Sequence, residues 1–356
     1  MNARFISPSL SVVILLLFSC GGQPSSQKGD IVDEFSFVNP VMASGSSPCL
    51  IYEDGTYYYT QATYTHVSIW SASSISGLKS AREQVVYEPQ DTYYISGPRL
   101  YKFDGKWYLY YISEGGEQSM RMIHILENPS SNPLKGQFVE KNAILTGNVK
   151  SVHPSVFDKD GELFLLWSGS DVNPGSDILM RSIYIARLAN PWTPASKGVR
   201  ILSPSYEWEC QWVSEDGPSS PEPSYVCDAP QMIFSRDKSK ILLYYSASET
   251  ITSHYCEGLA YTSSDSDLMS PDSWSKLPEP VFSQNADSLA FGTGHVSFFR
   301  NEKDSLYILY NAYSERSPYN IDNRSTRMQQ VHWSKDGIPE LGCPLLCSTP
   351  VRDPYL

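Results

Sequence analysis

Apolar and polar positions alternate along this chain in short runs with a period of two, and the runs come in pairs. Pro48-Cys49-Leu50-Ile51-Tyr52-Glu53-Asp54-Gly55-Thr56-Tyr57-Tyr58-Tyr59 is the first pair, read as strand, two-residue turn, strand. Asp-Gly suits such a turn because both residue types tolerate a positive φ. The pattern returns at 97–111 around Asp104-Gly105 and at 154–167 around Asp160-Gly161. It recurs at 230–245 through Arg236-Asp237-Lys238-Ser239, and at 295–310. The heads of these units, Pro48, Pro98, Pro154, Pro230 and His295, are about 50 to 76 residues apart. A hairpin repeated at that period predicts an all-β, five-bladed β-propeller with one four-stranded sheet per blade. Five such heads weigh against the alternative, a β-sandwich built from hairpins. Further short strands are expected from Thr65 to Trp70, Met120 to Ile125, Arg181 to Leu188 and Gly258 to Thr262. A helical turn is expected between Asp265 and Trp274, and an irregular insertion from Cys210 to Val226.

Composition changes the picture first at the N-terminus. Arg4 precedes a short apolar run from Leu10 to Phe18, which ends in Leu17-Phe18-Ser19-Cys20. The run is too short for a spanning helix and reads as a secretory signal over 1–19. A small residue followed by Cys resembles a bacterial lipobox, which implies a lipid on Cys20; an ordinary signal with a chance cysteine is the alternative. Residues 20–36, with the polar stretch Gly21 to Lys28, read as a tether, and 37–356 as a single propeller domain. The protein is then expected in the bacterial cell envelope, held through a lipid anchor alone at the outer membrane, cell surface or periplasmic face. A formal charge of −12 argues against nucleic acid as a partner, and a monomer is expected. Six cysteines follow Cys20 with no zinc-site spacing. Cys343 with Cys347, and Cys210 with Cys227, are candidate disulfides among many connectivities.

In a propeller the innermost strands run along a central channel, so their heads converge at one face. The order of motifs resembles glycoside hydrolase family 43, the arabinofuranosidase- and xylosidase-like enzymes. The matching stretches include Asn39-Pro40-Val41, Asp104-Gly105-Lys106-Trp107-Tyr108 and Ile183-Tyr184-Ile185-Ala186. Others are Asn190-Pro191-Trp192, Tyr255-Cys256-Glu257-Gly258-Leu259, Gly294-His295 and Asn323-Arg324-Ser325-Thr326-Arg327-Met328-Gln329. The resemblance implies a five-bladed propeller and inverting hydrolysis by two carboxyl groups, one donating a proton and one activating water.

The matched positions depart from that pattern. Where the family has an Asp base, this chain has Ser47; where it has a second Asp that supports the acid, His153; where it has the Glu acid, Asp228. Asp228 as a shortened acid with His153 assisting is the expected catalytic arrangement. Arg99 and Lys150 stand where the family has carboxylates or aromatics. Either they recognise an acidic or sulfated sugar, or they point outward and pair with surface acids. The resemblance further implies that Arg327 lies near the substrate. It also implies a central water or a single calcium or sodium ion beside His295, with no other cofactor required. Trp212 is the first choice for stacking on a sugar, with Trp167, Tyr94 and Trp208 as others. Glu114, Glu209, Glu222 and Asp287 are candidate displaced bases. The expected function is hydrolysis of O-glycosidic bonds in a plant or algal poly- or oligosaccharide, releasing a pentose or a modified, anionic sugar. The alternative is a non-catalytic carbohydrate-binding lipoprotein on the same fold.

Overall fold

The computed structural model describes residues 35–90, 92–115, 120–148, 150–172, 179–210, 225–316 and 323–356. Its strands form five four-stranded antiparallel blades. Blade 1 comprises Cys49–Glu53, Thr56–Thr60, Val67–Ala72 and Gln84–Tyr87. Blade 2 comprises Thr92–Phe103, Lys106–Gly115, Met120–Asn128 and Val139–Ile144. Blade 3 runs through Lys150–Lys159, Glu162–Val172, Leu179–Asn190 and Val199–Leu202. Blade 4 contains Tyr225–Phe234, Lys240–Ala247, Cys256–Ser263 and the two-residue Ser275–Lys276. Blade 5 contains Phe291–Arg300, Leu306–Tyr313, Ser325–Trp333 and Pro339–Glu340. Blades 3 and 4 are joined by a short parallel contact, Met180 opposite Tyr225 and Arg181 opposite Val226.

The three Asp-Gly turns behave as their chemistry demands. Asp54, Asp104 and Asp160 have φ of 47°, 48° and 52°, each followed by a glycine with positive φ. The expected helical turn is a 3-10 turn over Pro271–Ser273.

The core is divided by blade interface. One apolar cluster lies between each neighbouring pair, so five clusters close a ring. Trp107, Leu109 and Tyr111 of blade 2 face Tyr58, Val67 and Ile69 of blade 1. From the alternate positions, Tyr108, Tyr110 and Ile112 face Leu165 and Trp167 of blade 3. A strand buried on both faces explains the run Trp107-Tyr108-Leu109-Tyr110-Tyr111-Ile112, which is apolar throughout. Each such side chain, taken out of water, contributes about 1.5–3 kcal/mol.

The ring is locked where the chain ends meet. Ser36–Phe37 pairs antiparallel with Val351–Arg352. Asp353, buried, accepts hydrogen bonds from Tyr57 Oη (2.5 Å) and from the backbone N–H of Ile75 (2.7 Å), both in blade 1 or its connecting turn. Two cysteine expectations fail. Cys347 carries a free thiol and so is not bonded to Cys343, and Cys210 and Cys227 are both free.

Candidate active site

At the five heads the backbone takes the same unusual turn. Ser47, Gly97, His153, Ala229 and His295 all have φ between 47° and 59°. In blades 2 to 5 the strand register shifts at this point, at Ser96/Arg99, Val152/Ser155, Asp228/Gln231 and Gly294/Ser297. A bulge of this kind re-aims the side chains beside it. Here it directs head residues into a cavity of about 80 Å³. Gly97 meets a second demand, since a Cβ there would lie 3.3 Å from His153 Cα.

The cavity wall has a regular origin. The heads supply Ser46, Ser96, Val152, His153, Asp228 and His295. The chain at or just before each third strand supplies Tyr64, Arg121, Arg181, Tyr255 and Arg324, one per blade; Tyr94 and Thr250 complete it. Sequence reasoning did not select these five as site residues. The available signal was positional: in an antiparallel blade the third strand starts at the face where the first strand starts.

Asp228 is the centre of the site. It is 1% exposed and is the one carboxylate among the described lining residues. Its Oδ1 lies 2.7 Å from His153 Nδ1, and its Oδ2 accepts from Arg181 Nη1 at 2.7 Å. Burial pushes its pKa up, but the His153 and Arg181 charges and hydrogen bonds from His153 and Ser168 hold it well below the usual carboxylate range. A carboxyl held ionised cannot donate the proton expected of it near neutral pH. Because an ionised carboxylate only accepts, Nδ1 is the protonated nitrogen of His153. The His295 ring stands edge-on to His153 at a centroid distance of 4.5 Å. Burial, then the His153 and Arg99 charges, hold His295 well below its ordinary pKa, so it is neutral.

Several sequence candidates sit elsewhere. Ser47 is fully buried, with its backbone N–H on Asn311 Oδ1, and does not line the cavity. Arg99 is also buried and outside the wall. Its Nη1 donates to Pro48 O and Ser297 Oγ, tying the heads of blades 1, 2 and 5 together. Lys150 is exposed at a strand end outside the wall. Arg327 is spent on Leu289 O and Ser314 Oγ. Trp167 packs on Tyr184 and Trp208 on Tyr206, while Tyr94 lines the cavity with the Arg121 guanidinium 4.1 Å from its ring centroid. Glu114 is paired with Arg121, Glu209 is buried under Lys276, and Asp287 is exposed outside the wall. Cys20, Trp212 and Glu222 lie outside the described residues.

The surroundings of His295 do not fit a calcium or sodium ion. A hard cation takes six or more oxygen ligands. Here the Arg99 and Arg324 charges already act on the ring, the wall carboxylate Asp228 is committed to Arg181 and His153, and the Glu257 carboxyl behind the strand is taken up by Ser246 and the Val296 N–H.

Residues 37–339 match the family described as glycosyl hydrolases family 43. The chain belongs to glycoside hydrolase family 43. Family 43 is a family of glycosidases acting on O-glycosidic bonds of plant polysaccharides, and this homology supports a glycoside-hydrolysing function. The chain is 30% identical, over 99% of its length and 72% of the relative's, to the extracellular exo-alpha-(1->5)-L-arabinofuranosidase of Streptomyces avermitilis. Identity to alpha-L-arabinofuranosidase 43 of Humicola insolens is 32%, covering 89% of this chain and 66% of that one. In structure it is similar to an alpha-L-arabinofuranosidase from Lactobacillus brevis, with a TM-score of 0.75 and 28% identity, over 87% of this chain and 97% of the other. In this family 43 chain the wall carries Arg121, Arg181 and Arg324, and its carboxylate, Asp228, is paired with Arg181.

Proposed function

We propose that this protein is an exo-acting glycosidase of the bacterial envelope that removes a terminal anionic sugar, a uronate or sulfated unit, from a plant or algal polysaccharide. The observation that carries the charge preference is the trio Arg121, Arg181 and Arg324 on the cavity wall. A guanidinium meets a carboxylate or sulfate with two parallel N–H donors, which a neutral hydroxyl does not repay. The names of the relatives support a pentofuranosyl or similar linkage. The Streptomyces avermitilis relative is described as extracellular, which supports secretion; the Ser19-Cys20 pair supports a lipid anchor on Cys20.

The test is a panel of neutral arabinosides and xylosides beside uronate-capped and sulfated oligosaccharides. Turnover is expected for the acidic members. Arg121→Ala should raise their KM about 10–100-fold, the value of one charge-assisted hydrogen bond. Equal KM for neutral and acidic members in the wild type would remove the anion preference. One observation favours a second reading, a carbohydrate-binding protein without turnover: Ser47, at the base position, is buried away from the cavity. Calorimetric binding across the panel with no product would establish it.

A further inference from the structure

Two tyrosines of the cavity wall stand where glycine would be at ease. Tyr64 and Tyr94 have φ of 67° and 63°. For a bulky side chain that region is a genuine outlier, because Cβ crowds the carbonyl oxygen that follows. At Tyr94 the cause is a bulge. Between the pairs Tyr93 with Glu114 and Ser96 with Ile112, the strand Thr92–Phe103 sets two residues, Tyr94 and Ile95, against one, Ser113. One common form of such a bulge has glycine in the left-handed region. Beside it, the Tyr64 N–H donates to Ile95 O at 3.0 Å and the Ile95 N–H to Tyr64 O at 3.1 Å, which clamps blade 1 to blade 2. This clamp is made of main-chain atoms alone, and glycine at both positions would serve it without strain. The tyrosine side chains answer to something else, and strained residues of this kind cluster at ligand sites.

The two rings lie side by side, with centroids 5.7 Å apart. The Arg121 guanidinium sits 4.1 Å from the centre of the Tyr94 ring, and Glu114 holds its Nε at 3.0 Å, so the ring is braced from a fixed point. Tyr94 is 36% exposed, whereas Asp228, His295 and Arg324 are 1%, 2% and 2% exposed. The tyrosines therefore form the outer rim of the cavity and the ionic groups its inner end. We propose that Tyr64 and Tyr94 are a platform for the sugar unit on the leaving side of the scissile bond, and that they make the protein select chains of two or more units over simple glycosides. This rests on the glycosidase reading of the same cavity. A terminal sugar seated towards Asp228 leaves the next unit of its chain level with the rim. There the C–H face of that unit packs on the rings, while its hydroxyl groups stay in water. Tyrosine suits a half-wet platform, because its body is apolar and its hydroxyl tolerates solvent.

The experiment compares an oligosaccharide of the panel that is turned over with the methyl glycoside of its terminal unit. The wild type should have the lower KM for the oligosaccharide. Tyr94→Gly and Tyr64→Gly accept the same backbone conformation, so the fold is kept, and a melting curve checks it. Each should shrink the KM advantage of the oligosaccharide, by about 10-fold for Tyr94→Gly, the usual scale for removing an aromatic anchor. Tyr94→Phe, which keeps the ring, should preserve the advantage. Equal KM for the two substrates in the wild type, or an unchanged KM ratio in both glycine variants, overturns this proposal and leaves the glycosidase reading standing. A wild-type protein that turns over neither substrate nor any other member of the panel overturns both.

Discussion

At the scale of single residues, the heads hold a second buried carboxyl group, Glu257. It accepts from Ser246 Oγ at 2.5 Å and from the Val296 N–H at 2.9 Å. Burial, against the pull of those hydrogen bonds and with a contribution from Asp228, raises its pKa to about 8. The folded state thus keeps a proton that the unfolded chain releases near the ordinary value of 4.5. The stabilisation is complete below that ordinary value, is lost progressively as pH rises, and is gone above about 8. Melting temperature should fall between those limits, and Glu257→Gln should flatten the profile and melt higher at pH 8–9. A Gln variant with the same pH profile as wild type would refute this origin. The site chemistry was only partly legible in the sequence. His153 and Asp228 stood out because each departs from the family's head pattern, and His295 because it matches it. Arg121, Arg181 and Arg324 lie at the starts of strands, and although Arg324 falls in a matched stretch, nothing local marks them as site residues; only convergence of three blades brings them to one wall. Arg99 misled because a charge at a head suggests a ligand, whereas its length lets it reach across the axis to Pro48 and Ser297.

The elements were far more legible, because each hairpin carries its own instructions. Asp-Gly dictates the turn, aromatic and β-branched residues favour the strands, and the period counts the blades. The weak fourth strands of blades 4 and 5, two residues each, left no pattern to read. Nor did the tail, which pairs with Ser36–Phe37 and brings in one buried carboxylate, Asp353. Asp353→Ala strands Tyr57 Oη and the Ile75 N–H inside the protein. An unsatisfied buried donor costs about 1–3 kcal/mol, so the variant, which strands two, should lose roughly 2–6 kcal/mol. A lower midpoint in urea with an unchanged m-value is the expected result. An unchanged midpoint would mean that the tail does not lock blade 1.

For the molecule as a whole, the ring depends on its last-made contact. Blades 1 to 4 can form their hairpins locally, but the blade 5 to blade 1 cluster includes Phe37 and Val351. Pairs so distant in sequence are slow to meet, and loop closure is charged before they reward it. A chain stopped at residue 350 should therefore stay open and be cut readily by a protease, while the full chain resists; equal resistance would show that closure does not need the tail. In a cell this turns the Phe37–Val351 pairing into a timing device. While the tail is still being synthesised, the ring has nothing to shut against.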